Sequence, residues 1–252
     1  MRLILTLTAS GEIGLPIQHN HLLQAAVYDL IEQPGLREFL HQHGFVLGKR
    51  RFRLFAFSRL LGRVRVDTAG QQMFFTSPVN LVICSPLTAL LQELGNSLLR
   101  RGEIRLGNNH LEVEQVGVDD YQVRGRSLTV RMLSPLVTYS TLENNGSRYT
   151  YYYSPFEPRF STLISANLAK KYTIIHGRPA PEEDVRIMPV AVGKRDMKVV
   201  QYKGTVIKGW MGTYRLQGDP ELLQVALDAG LGSKNSQGFG CCEVVEQPPA
   251  AL

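Results

Sequence analysis

The stretch MRLILTLTASGEIGLPIQHNHLLQAAVYDLI, residues 1–31, decides the fold class of this chain. Apolar residues and threonines alternate over Leu3–Thr8, which predicts a buried strand. The glycines and the proline of Gly11–Pro16 predict turns. From Asn20, which fits a helix N-cap, apolar side chains recur at helical spacing as far as Ile31. The chain therefore opens with a strand followed by an amphipathic helix.

The elements that follow complete a recognisable unit. Further strands are predicted at Phe52–Ser58, Arg63–Val66 and Met73–Thr76, and one or two strands within Glu103–Val118. A second long helix is predicted at Pro86–Arg100, and a short amphipathic segment at Leu36–His43. The order strand, helix, strands, helix, strand is that of the split βαβ unit of a ferredoxin-like fold.

The same order begins again in the second half of the chain. Strands are predicted at Leu128–Leu133, Tyr149–Tyr153, Val185–Val192, Lys198–Ile207 and Cys241–Val245, and helices at Phe160–Tyr172 and from Asp219 or Pro220 to Ala229. The sequence therefore predicts an α+β protein made of two tandem ferredoxin-like (βαββαβ) domains, residues 1–122 and 127–252.

Composition restricts the class of binding partner and the cellular compartment that are expected for this chain. The 252 residues carry 28 Lys+Arg against 22 Asp+Glu, a formal charge of +6, which favours a polyanionic partner. Three cysteines, Cys84, Cys241 and Cys242, form no CxxC pair, which argues against a disulfide framework or structural zinc and indicates a reducing compartment. The apolar runs are too short to span a bilayer. The sequence therefore predicts a cytoplasmic protein with no membrane partner.

The sharpest local feature is the glycine-rich segment Gly230-Leu-Gly-Ser-Lys-Asn-Ser-Gln-Gly-Phe-Gly240. Glycines allow positive φ and a close approach of backbone N–H groups to a phosphate, while Lys234 adds a cation and Asn235 hydrogen-bonding capacity. The segment lacks GxGxxG and follows a helix, so it is not a nucleotide-binding fingerprint. A helix C-cap with a tight turn is the structural alternative, but it explains only one or two glycines. The candidate ligand-binding residues here are Gly230, Gly232, Lys234, Asn235, Gly238 and Gly240.

A basic stretch contains no acidic residue between its first and last members. Its cations are Lys49, Arg50, Arg51, Arg53, Arg59, Arg63 and Arg65. Unbalanced cations of this kind favour contact with RNA or DNA, although a solvated strand face is the alternative. The interleaved Phe55 and Phe57 share one strand face and are predicted to be core. A second basic region consists of Lys170, Lys171, Lys194, Arg195, Lys198, Lys203 and Lys208.

His41 and His43 end the short segment just before the basic stretch. A histidine beside phosphate-binding cations is a candidate proton shuttle, because its ordinary pKa is about 6.5. A metal-binding HxH pair is the weaker interpretation, since further ligands are not evident. The sequence also lacks a GxSxG elbow and an HExxH motif, and few acidic residues lie in its basic regions, so chemistry on a polyanion is predicted to proceed without metal.

Three segments carry a resemblance to a known family. They are the glycine-rich segment Gly230–Gly240, the pair Ala26-Val-Tyr-Asp-Leu-Ile31 and Phe39-Leu-His41, and Leu133-Ser-Pro-Leu136. With the order of the two halves, they resemble the CRISPR-associated endoribonucleases that process precursor guide RNA, in the repeat-associated RNA-binding superfamily. The resemblance covers essentially the whole chain.

The resemblance implies metal-independent cleavage of RNA within the repeat, without a cofactor. The 2′-hydroxyl before the cut would attack the adjacent phosphate and leave a 2′,3′-cyclic phosphate and a 5′-hydroxyl. His41 would be the general base or acid, Tyr28 its proton partner or orienter, and Lys49 the cation that steadies the phosphorane. His43 competes with His41 for its role, and Arg50 and Arg51 compete with Lys49.

The partners implied are precursor and mature CRISPR RNA, lying in a cleft between the two halves. The candidate RNA-binding residues are Arg50, Arg51 and Arg53 together with the six residues named in the glycine-rich segment. A non-cleaving scaffold subunit of a CRISPR effector complex is the alternative function, and effector subunits or a second copy of the chain are alternative partners. A tandem ferredoxin-like protein that binds a small ligand or another protein would leave the basic stretch and the Lys234 loop unexplained.

Overall fold

A computed structural model describes residues 1–144 and 146–246. In the first half the strands are β1 Arg2–Thr8, β2 Ile13–Pro16, β3 Phe45–Leu47, β4 Arg50–Phe52, β5 Ala56–Phe57, β6 Leu61–Asp67, β7 Gln72–Cys84, β8 Glu103–Leu106 and β9 Asn109–Asp119. The helices are α1 Asn20–Asp29, α2 Pro34–Glu38 and α3 Thr88–Arg101, and a single π-helical turn, Phe39–His43, continues α2.

The second half repeats the pattern with two additional hairpins. Its strands are β10 Ser127–Met132, β11 Tyr139–Asn144, β12 Ser147–Tyr152, β13 Arg186–Ala191, β14 Met197–Tyr202, β15 Thr205–Trp210, β16 Thr213–Gln217 and β17 Cys242–Glu246. The helices are α4 Pro158–His176 and α5 Pro220–Ala229, with short 3₁₀ turns at Lys194–Asp196 and Asn235–Gln237.

Each half is built on an antiparallel sheet whose first strand lies inside it. In the first sheet, β1 lies between β7 and β9, in the order β2-β7-β1-β9-β8, and β5 and β6 also pair with β7. In the second sheet, β10 lies between β16 and β17, in the order β13-β16-β10-β17. This topology confirms the α+β, ferredoxin-like expectation. The domain limits 1–122 and 127–252 stay a prediction, and residues 247–252 lie outside the described residues.

The helices pack on their sheets by the leucine stripes that the sequence shows. In α3, Leu90, Leu94 and Leu98 are fully buried, because the i, i+4, i+8 spacing places them on one face. Phe55 and Phe57 are also fully buried, which confirms that these two aromatic side chains are core residues. The basic stretch therefore offers its cations rather than these rings to a ligand.

Two predicted strands are wrong, and each breaks at a residue with positive φ. The predicted strand Phe52–Ser58 is interrupted at Leu54, where φ is +54°, so β4 ends and β5 begins around it. The predicted strand Lys198–Ile207 is instead the hairpin β14–β15. Its chain reverses at Lys203 and Gly204, with φ of +46° and +79°. Lys203-Gly204 is a turn signal that the sequence interpretation passed over.

Two smaller expectations also fail near the N-terminus. Asn20 is not the N-cap of α1, because His19 occupies that position and Asn20 lies within the helix. The segment Gly11–Pro16 is not all turn, since Ile13–Pro16 forms β2 at the edge of the first sheet. At the second-half helix the prediction holds: the Asp219 side chain accepts a hydrogen bond from the backbone N–H of Glu221 at 2.8 Å, and α5 begins at Pro220.

Candidate functional site

A π-helical turn places the two candidate histidines at the surface. In this turn the backbone N–H of Gly44 donates to the carbonyl of Phe39 at 2.6 Å, and His41 and His43 are both exposed. A Cβ at Gly44 would lie 2.6 Å from the Phe52 carbonyl oxygen, so the chain leaves the turn through a position that suits glycine alone. π-helical turns are rare and frequently occur at functional sites.

Tyr28 of α1 lies directly against His41. The two rings meet edge to face, with centroids 5.3 Å apart, and the Tyr28 hydroxyl donates to the Leu40 carbonyl at 3.2 Å. Burial raises the pKa of Tyr28, and the neighbouring Arg53 opposes that shift. Tyr28 therefore keeps its proton at neutral pH and fixes the backbone beside His41.

Two arginines of the basic stretch bind the carbonyls of the same turn. The Arg53 guanidinium donates to the carbonyls of Leu40 and His41 at 3.2 and 3.3 Å. Arg51 donates to the carbonyl of Gln42 at 3.1 Å. Each guanidinium has five N–H donors, so both residues keep donors for a ligand after these bonds are made. The hairpin β3–β4 and the histidine turn are thus held together as one unit.

A cleft of about 490 Å³ lies between this hairpin and the glycine-rich segment. Its lining includes seven of the residues predicted from sequence: Lys49, Arg50, Arg51, Arg53, Gly232, Lys234 and Asn235. Gly230, Gly238 and Gly240 do not line it, and neither do Tyr28, His41 or His43. No aspartate or glutamate is among the described residues that line the cleft. The structure therefore brings the basic stretch and part of the glycine-rich segment together, although Lys49 and Gly232 are 183 positions apart in sequence.

The glycine-rich segment is closely packed, and this packing explains why glycine occupies several of its positions. At Gly240, φ is +76° and a Cβ would lie 2.0 Å from the carbonyl oxygen of Leu231. That oxygen and Gly240 belong to one closed turn, because the Leu231 N–H donates to the Gly240 carbonyl at 2.8 Å. The fold of the segment itself thus requires these glycines. The structural alternative of a C-cap with a tight turn had explained only one or two of them.

The segment is organised around the buried ammonium of Lys171. This side chain of α4 is 2% exposed and donates to the Gly230 carbonyl at 2.6 Å and to Asn235 Oδ1 at 2.8 Å. It also donates to the carbonyls of Ala229 and Gly232. Burial lowers the pKa of Lys171 to about 7. Lys171 is therefore no part of a surface basic region, contrary to the expectation from sequence.

Asn235 completes this internal network. Its amide nitrogen donates to the carbonyls of Leu231 and Phe239 at 2.9 and 3.1 Å, while its oxygen accepts from Lys171. The Asn235 side chain, which was predicted to contact RNA, thus makes these hydrogen bonds inside the segment. Lys234, in contrast, extends over the ring of Tyr139, with its ammonium 5.3 Å from the ring centroid, and burial lowers its pKa.

The glycine-rich segment is also bound to α1, across the two halves. The Asn20 amide donates to the Gln237 and Gly238 carbonyls at 3.0 and 3.3 Å. The Gln24 amide donates to the Ser236 carbonyl at 2.6 Å. Because α1 also carries Tyr28, these bonds fix the spacing between the cleft wall and the histidine turn.

Sequence reasoning did not connect two residues of α4 with the cleft: it passed over Asn167 and placed Lys171 in a basic region. Asn167 and Lys171 are both buried, both line the cleft, and stand four residues apart on one helical face. The sequence pattern that could have revealed them is their spacing: both lie on the same face of the helix as Ile164 and Leu168, which are fully buried. A polar residue in an apolar stripe needs a partner, and that requirement points to a site.

Two general features of the described residues bear on binding. Between residues 1 and 246, with position 145 left aside, no group of three or more His, Cys, Asp or Glu side chains is placed to hold a metal ion. No helix in the same part of the chain has the length and apolar character needed to cross a bilayer.

Comparison with known families accounts for the chain along most of its length. Residues 14–117 match the family model described as CRISPR-associated protein Cas6, N-terminal, and residues 118–244 match CRISPR associated protein Cas6, C-terminal. Among curated relatives, the CRISPR-associated endoribonuclease Cas6 of Pyrococcus furiosus is 28% identical, over 91% of this chain and 83% of its own. The CRISPR-associated endoribonuclease Cas6 1 of Methanocaldococcus jannaschii is 25% identical, over 98% and 93%.

Solved structures show the same fold. A structure titled as the characterization of a Cas6-related gene from Pyrococcus furiosus has a TM-score of 0.83 at 18% identity, covering 98% of this chain and 99% of the other. A structure titled as a RAMP protein binding different RNA substrates has a TM-score of 0.81 at 18% identity, covering 98% and 100%. With both family models matched in sequence order and the tandem ferredoxin-like topology in place, this chain belongs to the CRISPR-associated protein Cas6 family.

Proposed function

We propose that this chain is a metal-independent endoribonuclease that cleaves precursor CRISPR RNA within its repeats. The curated relatives are named as endoribonucleases, which supports the reaction class. The observation that carries the proposal is the contact of Tyr28 with His41 beside a cleft lined by Lys49, Arg50 and Lys234. A proton-transfer group next to phosphate-binding cations is what cleavage of an RNA backbone requires.

In the proposed reaction the 2′-oxygen of the nucleotide before the cut attacks the adjacent phosphorus in line. A base removes the 2′-hydroxyl proton as the new P–O bond forms, and the bond from phosphorus to the 5′-oxygen breaks. An acid protonates the departing 5′-oxygen. The products are a 2′,3′-cyclic phosphate and a 5′-hydroxyl, and His41 acts as the base or the acid, because a neutral imidazole accepts a proton and an imidazolium donates one.

Tyr28 acts in this scheme as the group that orients His41. Its hydroxyl is bonded to the Leu40 carbonyl and its ring supports the imidazole edge to face, so its contacts constrain the position of the histidine. The same contact distinguishes His41 from His43, which lies two residues farther along the turn. We therefore assign the proton-transfer role to His41.

Lys49 is the proposed cation for the phosphorane. It lies in the exposed turn between β3 and β4 and lines the cleft, so its flexible ammonium can reach a phosphate there. Arg51, in contrast, already donates to the carbonyl of Gln42. Arg50 stands next to Lys49 on the same hairpin and remains a competitor for the role. Arg50, Arg51, Arg53 and Lys234 are proposed to bind the RNA along the cleft between the two halves, residues 1–122 and 127–252.

A non-cleaving RNA-binding scaffold is the second candidate. It is favoured by one observation: the cleft is lined by cations without any contribution from His41. Binding of precursor and mature CRISPR RNA is common to both candidates. Effector-complex subunits and a second copy of the chain stay predicted partners.

The deciding experiment is incubation of the protein with end-labelled repeat RNA in EDTA, beside the same RNA with a single 2′-deoxy nucleotide before the cut. The proposal expects cleavage of the all-ribose RNA in EDTA, no cleavage of the 2′-deoxy RNA, and a cyclic phosphate on the upstream product. Tight binding of both RNAs without cleavage of either would favour the non-cleaving scaffold and contradict the endoribonuclease proposal. Cleavage that disappears in EDTA would contradict the metal-independent mechanism.

A further inference from the structure

All three cysteines of the chain are buried, and two of them meet where the two halves join. Cys84 is the last residue of β7 in the first half, and Cys241 directly precedes β17 in the second. They share one small apolar cluster, which also contains Ala56, Val82 and Leu133. The proposed cleavage reaction uses neither thiol, so their proximity calls for a separate explanation.

The neighbouring cysteines Cys241 and Cys242 face different cores. Successive side chains of an extended chain point to opposite faces of a sheet. Cys242 belongs to the core of the second half, with apolar residues of α4 and α5, whereas Cys241 packs with residues of β5 and β7. Cys241 is therefore the cysteine of the second half that is directed at Cys84.

The side chains of Cys84 and Cys241 are joined by a hydrogen bond. This bond lowers the pKa of the Cys84 thiol, with a further contribution from the positive charge of Arg2, and it raises the pKa of Cys241 well above its usual value. The Cys241 S–H is thus the donor and the Cys84 sulfur the acceptor. The two sulfur atoms are already in contact across the junction between the halves.

Two buried cations lie beside the thiols. Arg2 is 7% exposed, and its guanidinium donates to the carbonyl of Cys242 at 3.3 Å. Lys171 is buried as well, and Cys84 and Cys242 are the ionisable groups that act on its charge. Positive charge favours the thiolate, and the thiolate rather than the thiol is the reactive nucleophile. Cys84 is therefore the sulfur that an oxidant attacks first.

We propose that Cys84 and Cys241 are a redox-active pair, which a peroxide converts to a disulfide bond that ties the two halves together. Because both sulfur atoms are buried, the oxidant must be small and must enter during local opening of the junction. In the reducing compartment predicted from the cysteine content, the pair rests as thiols and the bond forms only on exposure to peroxide. The inference does not depend on the proposed function, since RNA takes no part in it.

The reaction has two steps. The Cys84 thiolate attacks one oxygen of hydrogen peroxide, the O–O bond breaks, and a sulfenic acid and hydroxide form; hydroxide takes up a proton and becomes water. The Cys241 sulfur then attacks the Cys84 sulfur, the S–O bond breaks, and the leaving hydroxide departs as water with the Cys241 proton. Two thiols are thus oxidised by two electrons, while the peroxide is reduced to two molecules of water.

The test exposes the folded, reduced protein to hydrogen peroxide, blocks the remaining thiols with N-ethylmaleimide in denaturant, and digests the chain with trypsin without reduction. We expect the peptide of residues 66–100, which contains Cys84, to be linked to that of residues 235–252. Fragmentation between Cys241 and Cys242 should place the link on Cys241 and the maleimide on Cys242. Three blocked thiols, a sulfinic acid at Cys84 without a link, or a link through Cys242 would each overturn the inference.

Cys242→Ala is the matched control, because it removes a buried thiol from the same segment and leaves the pair intact. It should keep the cross-link, which appears as faster migration of the unreduced chain in a denaturing gel and disappears with dithiothreitol. Cys84→Ala should not form the fast-migrating species, and its formation there would overturn the inference. Peptide mapping of the wild type needs no variant, so the test remains decisive even if a substitution prevents folding.

Thermal unfolding measures whether the bond ties the halves together. Cys84 and Cys241 are 157 positions apart, so their bond restricts the unfolded chain strongly. The oxidised wild type is expected to melt about 10 °C above the reduced protein. The same treatment of Cys84→Ala measures the separate effect of methionine oxidation. A cross-linked wild type that melts no higher than the reduced protein, after this correction, would overturn the role of the bond as a tie.

Discussion

Substitution of Gly240 tests whether the glycine-rich segment is shaped by its own packing. The matched pair is Gly240→Ala and Gly204→Ala, since the two positions have nearly the same φ, +76° and +79°. A Cβ at Gly204 meets nothing within 4 Å, whereas a Cβ at Gly240 lies 2.0 Å from the Leu231 carbonyl oxygen. Both variants lose the same flexibility in the unfolded chain, so their difference isolates the packing in the folded state.

The expected magnitudes follow from these contacts. Gly204→Ala places an alanine in the left-handed region and should lose about 1–2 kcal/mol of unfolding free energy. Gly240→Ala suffers the same strain and must in addition displace the Leu231 carbonyl. That movement would break two hydrogen bonds, from the Leu231 N–H to the Gly240 carbonyl and from the Asn235 amide to the Leu231 carbonyl. Each contributes about 1 kcal/mol to stability. If both bonds are lost and overpacking costs about 1–3 kcal/mol, the excess loss at Gly240 should be about 3–5 kcal/mol.

The assay is equilibrium urea denaturation of the wild type and both variants at one pH, with RNA affinity measured on the folded proteins. An excess loss at Gly240 together with weakened RNA binding is expected, because the cleft wall is displaced. Equal losses in the two variants would refute the packing argument. The glycines would then have to be explained by the close approach of RNA backbone, as the sequence alone suggested.

Three further predictions address the proposed catalytic histidine, the basic stretch and the buried lysine. His41→Ala should slow single-turnover cleavage of repeat RNA by about 10²–10⁴-fold with little change in RNA affinity. An equal loss in His43→Ala alone, with His41→Ala active, would move the role to His43. For about five phosphate contacts with single-stranded RNA, the logarithm of the binding constant should fall with the logarithm of salt concentration at a slope near −3.5. A flat dependence in filter binding would mean that the basic stretch does not contact phosphates. The pKa of Lys171 falls from 10.5 unfolded to about 7 folded, so the unfolded state binds more protons between these values. Wild-type stability relative to Lys171→Met should therefore rise with pH from about 7 to 10, by at most about 1.4 kcal/mol per pH unit in urea titrations. A difference that stays constant over that range would contradict the shift.

The fold could be predicted from the sequence wherever the burial of one face makes apolar residues recur at a regular spacing. Leu90, Leu94 and Leu98 recur at helical spacing because one face of α3 is buried, and the alternation at Leu3–Thr8 reflects a strand inside a sheet. Prediction failed where local chemistry overrides the period. The reversal at Lys203 and Gly204 turned one predicted strand into a hairpin, and it depends on two residues with positive φ.

The candidate site was only partly accessible, because its contacts join distant segments. The cations of the basic stretch and Lys234 were found from composition, since charge clusters are visible along the chain. The roles of Asn167 and Lys171 were not, because a polar residue on a helix acquires a meaning only when the segment that it faces is known. Asn20 shows the same limit: its residue type suggested a helix cap, whereas its amide binds the glycine-rich segment more than 200 residues away.

The bonds from Asn20 and Gln24 to the glycine-rich segment have a consequence for the newly synthesised protein. The first sheet is complete by Asp119, so the first half can fold while the second is still being translated. The histidine turn is then already formed, but the opposite wall of the cleft is missing until residues as late as Gln237 have left the ribosome. A nascent chain therefore displays its basic stretch without the cavity that would select an RNA. Under the proposed function, the ability to discriminate between repeat RNA and the abundant RNA of the translation machinery is acquired only at the end of folding.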